Sequence, residues 1–176
     1  MVEISMPAIV TAICLLDQGS GKGTTRTHIQ KFVFLAEKWG LFPAAHRFSL
    51  YLHGPYSRDL DGEIMALCAA SMVRDMRDSS GFGATYRVSP ELAAAAGKFF
   101  AGKLGPLETL AESLAPKSSR GLEAIATSEY VRASSLNPDQ VKQRVKEIKP
   151  HLTPQEIDGA YDEAVRLRQT LAPTSI

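Results

Sequence analysis

The sequence predicts a mainly α protein with a small β component. Apolar residues recur at helical spacing through most of the 176 residues, while period-two alternation is confined to short segments before residue 90. The second half adds a third observation, since Ser89, Asn137 and Thr153 each precede a proline as a capping residue does at a helix start.

A first helix is expected to start after Ser5, with Pro7 in its first turn and Met6, Ile9, Val10, Ile13 and Cys14 along one stripe. It stops in "DQGSGKGTT", Asp17 to Thr25, whose glycines let the chain reverse. A second helix opens at Thr24 or Thr25, turns Ile29, Phe32, Val33, Ala36 and Trp39 inward, and ends at Gly40. In "RFSLYLH" the period changes to two, predicting a strand that buries Phe48, Leu50 and Leu52, with Gly54-Pro55 as the break that ends it. A third helix, from about Tyr56 to Ser71, is capped by Ser57 and buries Leu60, Ile64, Leu67 and Cys68. "MVRDMR" and "ATYRVS" then read as a hairpin whose tip is "DSSGFG".

The order helix, helix, strand, helix, hairpin makes residues 1–89 winged-helix-like. Residues 90–176 are expected to form a helical C-terminal part packed on that core, as one cooperative unit. Within it, Leu107, Leu110 and Leu114 mark a short helix, and Leu122, Ile125, Ala126 and Tyr130 a longer one. Gln140 and Glu156, three residues after Asn137 and Thr153, complete two capping boxes. The last helix carries Ile157, Ala160, Tyr161, Ala164, Val165 and Leu171.

The chemistry-bearing residues argue against an enzyme. "DQGSGKGTT" resembles a phosphate cradle, but a P-loop needs a glycine where Leu16 stands and a hydroxyl residue where Gly23 stands. His28, His46, His53 and His151 are scattered, and Cys14 and Cys68 are far apart, so no metal spacing exists and neither metal nor cofactor is expected. Both cysteines lie on apolar helical stretches and read as small core residues. The net charge of +1 and the 44% hydrophobic and 22% charged content describe an ordinary globular chain. No apolar run approaches the length of a membrane span, and no basic region precedes the first apolar stretch as in a secretory signal. A cytoplasmic location follows as the expectation, with no membrane partner.

For nucleic acid the charges give a divided answer. The third helix has Arg58 against Asp59, Asp61 and Glu63, an acidic face unsuited to a DNA groove. Lys22, Arg26 and Lys31 around the second helix, with Arg74, Arg77 and Arg87 on the hairpin, are the residues able to meet phosphates. The most distinctive stretch is "LYLHGPYSRDL", where His53, Tyr56 and Arg58 would form a contact site for a protein partner if the turn is exposed. The same phrase also has a purely structural reading as a strand-to-helix turn.

"HIQKFVFLAEKWG" followed by "FSLYLHGPYSRDLDGEI" resembles the paired signature of the YwgA-like proteins, an LQKLVFL-type helix and then a strand ending in a GPYS-type turn. "GLEAIATSEYV" and "VKEIKPHLTPQEIDGAYDEA" are similar to later parts of that pattern, so the resemblance spans most of residues 25–168. The first half is distantly similar to the Panacea domain of SocA-like antitoxins and proteolytic adaptors, proteins that act by binding protein partners. The resemblance implies a non-enzymatic, antitoxin-like or adaptor-like interaction protein, with a winged-helix DNA-binding regulator as the alternative. It carries over no functional residues, and the chain departs from the pattern in its glycine-rich first loop and at Phe32 and Phe34.

Overall fold

The computed structural model describes residues 5–76, 84–134 and 136–172, and these are mainly helical with a small β component, as the periodicities predict. Helix α1 (Ser5–Ser20) is apolar on most sides, and Ile9, Val10, Ile13 and Leu16 are fully buried. Met6, expected in its inner stripe, is 38% exposed, and Cys14 is half-buried, accepting a hydrogen bond from Gln18. Helix α2 (Arg26–Lys38) starts at Thr25, whose side chain accepts the His28 amide, and the chain leaves it through Gly40 at φ 72°.

Between these helices lies an unexpected two-residue strand, β1 (Thr24–Thr25), too short for any periodicity to reveal. It pairs antiparallel with β5 (Thr85–Val88), which pairs with β4 (Val73–Met76), giving the order β1-β5-β4. The predicted hairpin is thus extended by a third strand. Its tip and Arg77 lie outside the described residues. Tyr86 of β5 is buried, and its hydroxyl receives the Arg26 guanidinium at 2.9 Å.

The middle segment differs most from expectation. Instead of one strand broken at Gly54-Pro55, the chain makes a small hairpin from β2 (Ser49–Tyr51) and β3 (Gly54–Tyr56), in register Ser49↔Tyr56, Leu50↔Pro55 and Tyr51↔Gly54. Gly54-Pro55 starts a strand rather than ending one. Pro55 is tolerated because this two-stranded ribbon leaves an unpaired side for a residue without an N–H. The apolar alternation also fails at the turn, where Leu52 is 73% exposed. Helix α3 (Arg58–Ala69) then starts at Ser57 and buries Leu60, Ile64 and Leu67, while Cys68 is only half-buried.

The C-terminal helices begin where their capping sequences place them. Helix α4 (Pro90–Gly97) follows Ser89, α7 (Pro138–Ile148) follows Asn137, and α8 (Pro154–Leu171) follows Thr153, the last two with complete capping boxes. A 3-10 segment (Lys98–Lys103) leads into α5 (Leu104–Leu114), and α6 (Ser119–Arg132) follows. The hydrophobic cluster draws on both halves, joining Ile9, Phe32 and Leu60 to Leu107, Leu122, Val145 and Leu167. Burying each such side chain contributes about 1.5–3 kcal/mol. Helix α6 packs against α2, α7, α8 and β3, and every residue from Leu122 to Glu129 is buried.

That depth obliges α6 to pair its carboxylates, because an uncompensated buried charge is costly. Glu129 meets Arg132 at 2.6 Å and accepts the Trp39 indole N–H at 3.0 Å. Glu123 meets Lys149 at 2.9 Å and His151 at 3.2 Å. Among the described residues, no helix is long and apolar enough to cross a membrane.

Candidate functional site: the hairpin and its supports

Gln30 and Lys31 lie in "IQKFVFLA", where six of eight residues are apolar, so the helix has no polar face to spare and both side chains turn inward. Gln30 donates to the Ser57 carbonyl and accepts the Ser57 amide, both at 2.9 Å. This two-point amide contact fixes the entry to α3, and the Ser57 hydroxyl then accepts the Leu60 amide at 3.3 Å as the cap. Lys31, 3% exposed, donates to the Pro55 carbonyl at 2.8 Å. Neighbouring residues of α2 therefore hold Pro55 and Ser57 of "GPYS".

Support from the other side comes from the C-terminal half. Lys149, buried at the end of α7, donates to the Tyr51 and Leu52 carbonyls at 2.8 and 2.5 Å, while its charge is balanced by Glu123. Gly54 closes the arrangement at φ 86°, a conformation that favours glycine. A β-carbon there would lie 3.1 Å from the Thr127 hydroxyl and 3.4 Å from the Glu123 carbonyl, so β3 lies directly against α6.

Burial acts differently on the ionisable groups of this region. Desolvation dominates at Lys31 and pulls its ammonium down to about 8, with Glu123 opposing that shift and Lys149 reinforcing it. Tyr56 is raised, first by burial and then by its hydrogen bond to Asp61. His46, between β2 and the end of α2, has a side chain only 1% exposed and contacts Glu37 at 2.5 Å and Glu63 at 3.3 Å. Burial disfavours its charged form, but the two carboxylates prevail and raise its pKa.

The candidate partner-binding residues are brought together in part. His53 is exposed in the turn, Arg58 is exposed in the first turn of α3, and Tyr56 is half-buried. Sequence reasoning missed Tyr51 and Leu52, which are 58% and 73% exposed beside them. The Tyr51 and Tyr56 rings lie 5.7 Å apart, tilted by 33°. No local signal marked Leu52: Leu-His is not a usual hairpin turn, and Gly-Pro reads as the end of a strand, which left Leu52 in the alternation of Leu50.

The nucleic-acid candidates separate. Lys22 and Arg74 are exposed. Arg26 is tied to Asp61 at 3.2 Å, and Arg87 to Asp17 at 3.4 Å and to the Gly21 carbonyl at 3.2 Å. Lys31, expected near a phosphate, instead lies inside the protein, because the apolar density of α2 draws it in and Pro55 gives its ammonium an acceptor.

No family model matches the chain. It is similar to the uncharacterised protein YwgA of Bacillus subtilis (strain 168), with 28% identity over 153 residues that cover 85% of this chain and 90% of that protein. A likeness of that extent over nearly the full length of both chains supports the YwgA-like resemblance drawn from the helix and turn signatures.

Proposed function

We propose that this is a non-enzymatic regulatory or interaction protein, antitoxin-like or adaptor-like, that acts in the cytoplasm by binding a protein partner. The observation that carries the reading is the β2–β3 hairpin, which holds Leu52 and Tyr51 in solvent while buried Lys31 and Lys149 bind its backbone from beneath, with Glu123 pairing Lys149 and Gln30 fixing Ser57 just after it. Exposed aromatic and aliphatic groups on a preorganised support bind with little ordering cost, the arrangement that partner recognition favours. The distant Panacea-like character of "HIQKFVFL" and "GPYS" agrees with it.

The test is capture from extract of the source cell at high salt, with wild-type protein and Leu52→Asp in parallel. A specific polypeptide retained by the wild type and lost by the variant is the expected result. Recovery of nucleic acid alone would end the proposal.

A second reading, a winged-helix DNA-binding regulator, draws on one observation. Arg74 and Arg87 are register partners across β4 and β5 and so lie on one face of the sheet, and Arg87 reaches the Gly21 carbonyl next to Lys22 in sequence. DNA binding there would weaken with salt, and neutralising Arg74 would flatten the salt slope by about one unit. No binding at low salt would discard this reading.

A further inference from the structure

His46 stands in the connection between α2 and β2, just before the strand begins, with its side chain only 1% exposed. Both of its ring nitrogens meet carboxylates. Nδ1 contacts Glu37 Oε1 of α2 at 2.5 Å, and Nε2 contacts Glu63 Oε2 of α3 at 3.3 Å. The two nitrogens point away from opposite edges of an imidazole, so these acids do not converge on one cation, and among the described residues no cluster is suited to a metal. The ring instead bridges two helices.

The protonation state of the ring decides whether both contacts can exist. An imidazolium donates from both nitrogens, whereas neutral imidazole has one N–H and turns a lone pair from its other nitrogen toward the facing carboxylate. One acid is then lost as a partner. Glu37 also accepts the His46 backbone amide through Oε2 at 3.2 Å, and its side chain is 6% exposed. Glu63 makes the longer ring contact and is 37% exposed, free to turn into water. The charged and titratable groups around the ring are Glu37 and Lys38 of α2, Glu63 of α3 and Tyr130 of α6, with Arg47 exposed beside it in the chain. Burial disfavours the charged ring, but Glu37 and then Glu63 outweigh it and hold His46 above its ordinary 6.5.

We propose that His46 is a proton-operated latch between the α2–β2 connection and α3: charged, it ties Glu37 to Glu63, and on losing its Nε2 proton to water it keeps Glu37 and releases Glu63. Helix α3 stays in place through Ser57 and its buried Leu60, Ile64 and Leu67, so release frees one side of the helix without unfolding it. Because the folded pKa is raised, the tie adds stability that is complete below the ordinary 6.5 and disappears as the pH rises through the folded value. The latch acts on the connection that leads into the β2–β3 hairpin and needs no partner there.

Imidazole nitrogen NMR of the full chain, titrated from about pH 5.5 to about pH 9.5, reads the latch directly. The His46 midpoint is expected above 6.5, with the remaining proton on Nδ1 at the alkaline end. The nuclear Overhauser contact between the ring and the Glu63 side chain is lost across that midpoint, while the contact to Glu37 persists. Glu63→Gln, a change at a partly exposed side chain that keeps the shape and removes the charge, lowers the midpoint by about 0.3–1 pH unit. A midpoint at or below 6.5, a proton retained on Nε2 at the alkaline end, a ring contact to Glu63 that survives the titration, or an unmoved midpoint in Glu63→Gln would overturn the proposal. The wild-type titration decides by itself should that variant fail to fold.

Discussion

The connection between α1 and α2 and the β2–β3 hairpin are both short, glycine-containing reversals that a sequence reader would weigh alike. The first is fixed largely by itself: Asp17 accepts the Gly21 amide on its carbonyl at 2.7 Å and the Gly23 amide on its carboxylate at 2.6 Å, and Ser20 donates to the Gly23 carbonyl at 2.8 Å. Arg87 reaches in from β5 at the surface. The hairpin is instead held by Gln30, Lys31, Glu123 and Lys149, all buried and all from other elements. A self-contained loop can change without consequence elsewhere. A hairpin fixed from a distance transmits a change to the core.

The comparison can be broken most severely at Glu123. Glu123→Gln leaves Lys149 buried without its partner and should cost about 3–5 kcal/mol in urea unfolding. A loss below 1 kcal/mol would show that the hairpin does not depend on this charge.

Lys31 gives the next largest effect, and its sign is set by burial. Its folded pKa is about 8 against an ordinary 10.5, so between these values the unfolded chain binds more protons and stability from this group rises with pH. Wild type should gain up to about 3 kcal/mol relative to Lys31→Met across that window. Parallel pH profiles would contradict the burial argument.

Two glycines then sharpen the contrast. Gly54→Ala meets both a positive φ and the Thr127 contact, and should cost about 1–3 kcal/mol. Gly21→Ala, at φ 67° with open space around the new methyl, should cost about 1 kcal/mol from backbone strain alone. Equal thermal shifts for the two would remove the distinction between the loops. The smallest effect belongs to Arg87→Gln, which loses one partly exposed ion pair worth about 0–1 kcal/mol.

The fold was legible wherever local chemistry decides it. Ser57, Ser89, Asn137 and Thr153 cap the helices assigned to them, and the inner face of α2 is buried as its spacing requires. The exceptions share a cause. Strand β1 exists only because β5 pairs with it, and β3 runs through a Gly-Pro that local rules treat as a stop. The site was half legible: "GPYS" stands out, but its supports are distant in sequence and include a lysine that resembled a surface charge. Charge type does not reveal burial, whereas the apolar density around Lys31 did contain that information.

The reach from Lys149 to the hairpin also sets an order of events during synthesis. The carbonyls of Tyr51 and Leu52 precede Lys149 by 98 and 97 residues. At translation rates of 5–20 residues per second, roughly 5–20 s separate their emergence from the ribosome. Through that interval a nascent chain presents an apolar turn whose second support has not yet been made, so the last third of the protein completes a surface encoded in the first.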